Sequence, residues 1–154
     1  MLNTGKGYAN ASASAGPAFS GPVNGRGAAF GDLNNDGQID VVVATLDGVA
    51  LVLRNNGSKN RWLGISLLGS LSNRNGIGAR ISVIDNTGRK QIVDAHTSSS
   101  YLSSNDPRIL IGLGTATKVN KVEIKWPSGI VQTVTEPALD RYLLLREPSA
   151  SDSK

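Results

Sequence analysis

The densest chemistry in the chain lies between residues 32 and 40, which read Asp32-Leu33-Asn34-Asn35-Asp36-Gly37-Gln38-Ile39-Asp40. Oxygen-bearing side chains fall at the first, third, fifth and ninth places, and a glycine at the sixth. Alternate ligands let a tight loop curl around one ion, with Gly37 permitting the sharp turn and the Gln38 carbonyl supplying a further oxygen. Carboxylates and an amide are hard donors, so the set favours Ca²⁺ over softer metals. Asp32, Asn34, Asp36, Gln38 and Asp40 are therefore the candidate metal ligands, with Ile39 expected to point away from the ion and pin the loop to the core. The competing reading is an Asx-rich turn that binds nothing. Against it, three aspartates within nine residues repel one another unless a cation sits among them.

Other constellations are weaker. Asp94, His96 and Ser98 alternate and, on one extended strand, would project to the same face about 7 Å apart by the strand's rise. That is too far for a nucleophile and its base, and no nucleophile-elbow motif surrounds any serine. His96 is the single histidine and there is no cysteine, so disulfides, thiol nucleophiles, iron–sulfur clusters and Cys-liganded zinc are excluded. Trp62 and Trp126 could stack on a sugar ring, but their places at the ends of strands favour core or rim packing. Asn73-Arg74-Asn75-Gly76-Ile77-Gly78 fits neither a phosphate loop nor a dinucleotide fingerprint and reads as a turn needing positive φ at Gly76 and Gly78. Asn10-Ala11-Ser12 and Asn56-Gly57-Ser58 are glycosylation triplets, meaningful only in a eukaryotic secretory setting.

The elements that must position these residues are short. Eighteen glycines in 154 residues exceed the usual ~7% and imply many tight turns rather than a helix bundle. The first thirty residues are rich in glycine, alanine and serine and read as irregular chain with one short strand around Gly7 to Ala9. After the acidic loop, Val41 to Leu46 is β-branched and nearly continuous, which predicts a strand buried on both faces. Asp47-Gly48 is a hairpin turn signal, and Val49 to Leu53 is the return strand. Strands follow at Trp62–Leu68, Ala79–Ile84, Gln91–Ala95, Ile109–Leu113, Val119–Trp126, Ile130–Val134 and Tyr142–Leu145. The turns Asn86-Thr87-Gly88 and Pro127-Ser128-Gly129 are expected to close two antiparallel hairpins, and Glu136 to Asp140 to form the one helical turn. Strands at this spacing mean an all-β sandwich or barrel.

Two family resemblances rest on quotable residues. Gly25-Arg26-Gly27-Ala28-Ala29-Phe30-Gly31-Asp32, the acidic loop, and Val41 to Ala44 together resemble the FG-GAP/VCBS repeat of β-propellers. That resemblance implies Ca²⁺ held in a loop between blade strands by Asp32, Asn34, Asp36, the Gln38 carbonyl and Asp40. The same spacing is similar to an EF-hand through nine places, but Val43 stands where its bidentate glutamate would be, and the flanks are strands. The second half is similar to the ASPIC/UnbV domain, through Asn60-Arg61-Trp62-Leu63, Ser72 to Arg80, Tyr101-Leu102-Ser103-Ser104, Ile111-Gly112-Leu113-Gly114 and Val122 to Gly129. Such domains follow propellers in cartilage acidic protein and bacterial homologues. A propeller needs several blades and this chain holds about one repeat, so it reads as the C-terminal end of a longer protein.

The expected architecture is all-β: a partial propeller blade built on the calcium-loop hairpin, plus an antiparallel sandwich- or barrel-like ASPIC/UnbV domain. Residues 1–57 form the glycine-rich segment and calcium repeat, 58–147 the second domain, and 148–154 a disordered tail. A lone blade leaves Val41, Val43, Val49, Leu51 and Leu53 to be covered by a core shared with the second half, by the N-terminal segment, or by a homo-oligomer through that face. The function expected is a non-catalytic, calcium-binding adhesion or recognition module with a protein or glycan ligand. The alternative is a carbohydrate-binding or carbohydrate-processing accessory domain using the tryptophan-bearing face. A net charge of +4 without a basic, aromatic-interleaved stripe argues against nucleic acid. No apolar run approaches the ~18 residues of a membrane span, and the first residues lack the regions of a signal peptide. Calcium availability and the resemblance point to an extracellular, cell-surface or periplasmic setting.

Overall fold

The computed structural model describes residues 2–19, 21–46, 48–57 and 59–149. Asp47 of the expected turn, Ser58 of the second glycosylation triplet, and the tail from residue 150 lie outside these residues. In chain order the strands are β1 Leu2–Asn3, β2 Tyr8–Ala9, β3 Gly25–Gly31, β4 Asp40–Thr45, β5 Leu51–Leu53 and β6 Arg61–Leu68. They continue with β7 Arg80–Asp85, β8 Lys90–Asp94, β9 Ile109–Gly114, β10 Val119–Lys125, β11 Val131–Thr135 and β12 Tyr142–Arg146. The fold is all-β, and among the described residues the only helical pieces are 3₁₀ turns at Ser12–Ser14 and Pro17–Phe19.

The second half is a sandwich. One sheet has the order β11-β10-β7-β8 and is antiparallel throughout; the other has the order β12-β6-β9. In the second sheet β6 runs antiparallel to β9 but parallel to β12. Burial alternates with period two along β7, where Ile81 and Val83 point in, and along β9, where Ile109, Ile111 and Leu113 do. Those residues join Leu63, Ile65 and Leu67 of β6 and Val119, Val122 and Ile124 of β10 in one apolar cluster drawn from both sheets, with Trp126 at 1% exposure. Each buried Leu or Ile side chain contributes roughly 1.5–3 kcal/mol, so this cluster is the main stabilising element. The expected hairpins β7–β8 and β10–β11 are both present. Gly76 and Gly78 have φ of 62° and 93°, and Gly76 lies close against Leu67 and Trp126.

The first half is a three-stranded antiparallel sheet of order β3-β4-β5. Several sequence expectations are corrected here. β4 is not buried on both faces: Val41, Val42 and Val43 are half-buried, Ala44 is exposed, and Leu46 is 54% exposed. Only one face is covered. The N-terminal segment, through Ala18, Phe19 and Val23, lines a hollow with Val43, Leu51 and Leu53. The return strand begins at Leu51 rather than Val49, which is 83% exposed. Among the described residues no member of the apolar cluster precedes Leu63, so these residues form no core shared between the two halves. No helical turn forms at 136–140, because Glu136 and Asp140 both adopt positive φ, at 48° and 56°. Their N–H groups donate instead to Asn120 O and Trp62 O, carrying the chain across to β12. Pro148 and Ser149, assigned to a disordered tail, are half-buried.

Candidate functional site

The loop between β3 and β4 is organised by its own side-chain oxygens. Asp32, 1% exposed, accepts from Asp36 N on Oδ1 at 3.1 Å and from Gly37 N on Oδ2 at 2.8 Å. Asn34 Oδ1 accepts from the same Asp36 N at 3.3 Å, which brings the first- and third-place oxygens together. Asn34 Nδ2 donates to Asp36 Oδ2 at 2.8 Å, and Asp36 Oδ1 accepts from Gln38 N at 2.9 Å. Asp40, 2% exposed, accepts from Leu33 N at 3.0 Å and Asn55 N at 2.8 Å, closing the loop onto the segment after β5. Asn35 and Gly37 take φ of 61° and 82°, the two left-handed residues that let nine residues turn so tightly. Ile39 does not pin the loop to the core; it is 40% exposed.

Mutual repulsion of the carboxylates is relieved here by N–H donors and by two arginines. Arg54 lies 3.8 Å from Asp36, and Arg108 reaches the loop from the other half of the chain. The donor set is all oxygen, as a calcium loop requires, and a carboxylate oxygen holding one N–H keeps a second lone pair. Asp32, Asn34 and Asp36 sit side by side, whereas both oxygens of Asp40 hold the loop ends. Among the described residues no three acidic or imidazole groups form a ready cluster for an ion.

The loop also forms part of the seam between the halves. Arg108 donates to Asn35 Oδ1 at 2.5 Å and to the Asp32 carbonyl at 2.7 Å, while pairing with Asp106 at 2.6 Å. The hydrogen-bonded Asp106 carboxylate raises the Arg108 pKa further above its ordinary value. Tyr142, at the start of β12, donates its hydroxyl to Asp32 Oδ2 at 2.9 Å, and the Arg108 guanidinium lies 4.3 Å from its ring centre. Burial, then the Asp32 hydrogen bond, push the Tyr142 hydroxyl well above the usual phenol range. Trp62 packs edge-on against Tyr142 at 5.3 Å and sits over Gly37, where a Cβ would overlap the indole. Gly37 therefore has two reasons to be glycine: its φ and this close approach.

Arg108, Tyr142 and Asp106 were not visible as partners in the sequence. Asp32 and Tyr142 are 110 positions apart, and no local spacing links them. Glu147 escaped notice for the same reason. Its Oε2 accepts from Ser70 N, Leu71 N and Ser72 N at 2.7–2.8 Å, and its Oε1 from the Ser72 and Ser128 hydroxyls. Burial pushes this carboxyl up, but the hydrogen bonds from Ser128, Ser72 and Ser70 outweigh it and bring the pKa to about 2.

The other sequence candidates are dispersed. β8 ends at Asp94, so His96 and Ser98 do not share its strand; Asp94 pairs with Arg80 at 2.7 Å and His96 is exposed. Trp62 and Trp126 are 8% and 1% exposed, and the Trp126 Nε1–H donates to Gln132, so neither ring offers a face to a sugar. No helix among the described residues is long and apolar enough to cross a membrane.

No curated protein matches this sequence. Residues 69–152, more than half of the chain, match the family described as ASPIC and UnbV. The matched stretch covers the sandwich from the end of β6 onward, including Arg108, Tyr142 and Glu147, and the chain belongs to the ASPIC and UnbV family.

Proposed function

We propose that the chain is a non-catalytic recognition module in which an FG-GAP/VCBS-type calcium repeat, residues 1–57, is docked on the ASPIC/UnbV sandwich, residues 58–147. The observation that carries this reading is the double role of the 32–40 loop. Asp32, Asn34 and Asp36 present hard oxygens side by side, and the same loop supplies the contacts to Arg108, Tyr142 and Trp62. Ca²⁺ held by Asp32, Asn34, Asp36 and the Gln38 carbonyl would neutralise the loop's charge and stiffen the seam, with Asp40 closing the loop from its ends. Binding to the folded form alone raises stability by mass action, by about 2.7 kcal/mol at a hundredfold excess over the dissociation constant. A structural Ca²⁺ site fits an extracellular, cell-surface or periplasmic setting, where free calcium is abundant, and that is the setting proposed for the module. A rigid two-part surface of this kind serves adhesion or recognition of a protein or glycan; a glycan would be held away from the buried tryptophans.

The test is a thermal melt of metal-stripped protein with Ca²⁺, with Mg²⁺ and with chelator. Ca²⁺ raises the melting temperature of the wild type, and Asp36→Ala removes the rise. A melting curve unmoved by millimolar Ca²⁺ would rule out a structural ion in this loop.

A further inference from the structure

Two hollows meet at Asp94 and His96, which line both. The first, about 160 Å³, lies at the seam, where Phe30, Asp32 and Ile39 of the first half share a wall with Asp106, Arg108 and Tyr142 of the second. The second, about 630 Å³, is an open groove on the sandwich, lined by Ile77, Ala95 and Pro127 together with Arg80 and Lys125. A whole small-ligand site occupies ~300–1,000 Å³, so the seam hollow takes only part of a ligand whose remainder lies in the groove. The ligand that suits this geometry is extended and crosses Asp94 and His96.

The charge of the lining decides its chemistry. Asp32, Asp94 and Asp106 are matched by Arg80, Arg108 and Lys125, so the charges cancel with His96 neutral, in a chain whose net charge is +4. Most are also paired directly. Arg80 holds both oxygens of Asp94, at 2.7 and 3.1 Å, and Arg108 holds Asp106 at 2.6 Å. A charged ligand of either sign gains little from such a surface. A hydroxyl gains more, because it both donates and accepts. Each Asp94 oxygen accepts one bond from Arg80 and keeps a second lone pair, while Arg80 Nη1 makes no bond among the described residues. His96 is exposed and hydrogen-bonds to none of the described residues, so a neutral imidazole offers one donor and one acceptor. The Arg80–Asp94 pair fixes its own geometry before any ligand arrives, which lowers the ordering cost of binding. Beside these polar groups, Phe30 and Ile39 are each 40% exposed and Pro127 is exposed, giving apolar surface for the C–H face of a ring.

We propose that this cleft binds a neutral oligosaccharide. Asp94, Arg80 and His96 at its middle exchange hydrogen bonds with ring hydroxyls, and Phe30, Ile39 and Pro127 contact the C–H faces. The inference rests on the recognition reading above and names its ligand. It needs neither buried tryptophan, and it needs both halves of the chain, since Phe30 and Ile39 come from the first and the polar centre from the second.

The test is an array of neutral, uronic and sulfated oligosaccharides probed with the Ca²⁺-loaded full chain, followed by calorimetry with the strongest neutral hit. The expected result is binding to neutral glycans that His96→Ala weakens about tenfold. His96→Trp, which fills the junction of the two hollows, abolishes it. Lys90→Ala, at the start of the same strand's register but lining neither hollow, leaves it unchanged. His96 is exposed, so the melting temperature of both variants stays that of the wild type. Binding to no neutral glycan overturns the proposal, as does binding confined to acidic glycans or indifferent to both His96 variants. If the Ca²⁺-dependent rise in melting temperature persists in any of those cases, the calcium repeat stands and only the glycan site fails. Glycan binding that survives chelator, without any Ca²⁺ effect on the melt, is the opposite outcome: the site stands and the calcium repeat fails.

Discussion

Glu147→Gln removes one negative charge from a cradle built to hold it. Three consecutive N–H groups and two serine hydroxyls converge on this carboxylate, which is 4% exposed. The glutamine can still accept from the N–H groups, so the variant loses charge assistance rather than the whole network. A fall from 4.5 to about 2 would be worth about 3 kcal/mol if fully realised. The carboxylate lies just under the surface, where solvent screening reduces that to about 2 kcal/mol. For a chain of this size about 2 kcal/mol is a drop of roughly 4–8 °C in melting temperature. The folded pKa is depressed, so the stabilisation is fully present above the unfolded value near 4.5 and disappears as pH falls through about 2. Urea denaturation of wild type and variant at pH 7, 4 and 2.5 measures it: the gap is widest at pH 7 and narrows steadily toward pH 2.5. A variant as stable as wild type at pH 7, or a gap independent of pH, refutes the reasoning.

Other expectations follow from the seam and the loops. Tyr142→Phe deletes the hydroxyl bond to Asp32 and costs about 1 kcal/mol, measured by denaturant midpoint; Asp32 retains its two loop N–H donors, so the fold survives. Gly37→Ala strains a residue at φ 82° and drives a methyl into the Trp62 ring. It costs more than 2 kcal/mol and increases protease cleavage near the seam, whereas a neutral outcome would mean the loop does not sit against Trp62. Leu102 is 89% exposed with φ 47°. Leu102→Asn suits that backbone and gains about 0.5–1 kcal/mol in a melt, while a loss of stability would reveal a contact that repays the strain.

The strand pattern was legible because it is local. Seven strands after residue 60 follow from β-branched and alternating residues between turn clusters, and the structure has strands at each of those places, within a residue or two at the ends. The positive φ at Gly76 and Gly78 followed from the same short-range logic. The loop at 32–40 could be read as an oxygen-rich turn because its oxygen-bearing side chains and its turn residues occupy nine consecutive positions. Expectations failed where the outcome depends on what lies across space. Val41 to Leu46 has the composition of a strand buried on both sides, yet its second face is left open, and only the packing of the N-terminal segment decides that. Glu136 and Asp140 looked able to start and end a helical turn, but the path from β11 to a β12 parallel to β6 demands left-handed residues at both points.

Composition and periodicity thus determined that the chain is a set of short strands around an apolar core, and that its hard oxygens cluster before β4. Only the tertiary structure decided which of those oxygens serve the seam, because Asp32 meets Arg108 and Tyr142 from sequence positions that share no periodic relation with it. The physical reason is that hydrophobic alternation is encoded in neighbours, whereas a hydrogen bond between distant residues exists only once two sheets have packed and fixed the distance between them.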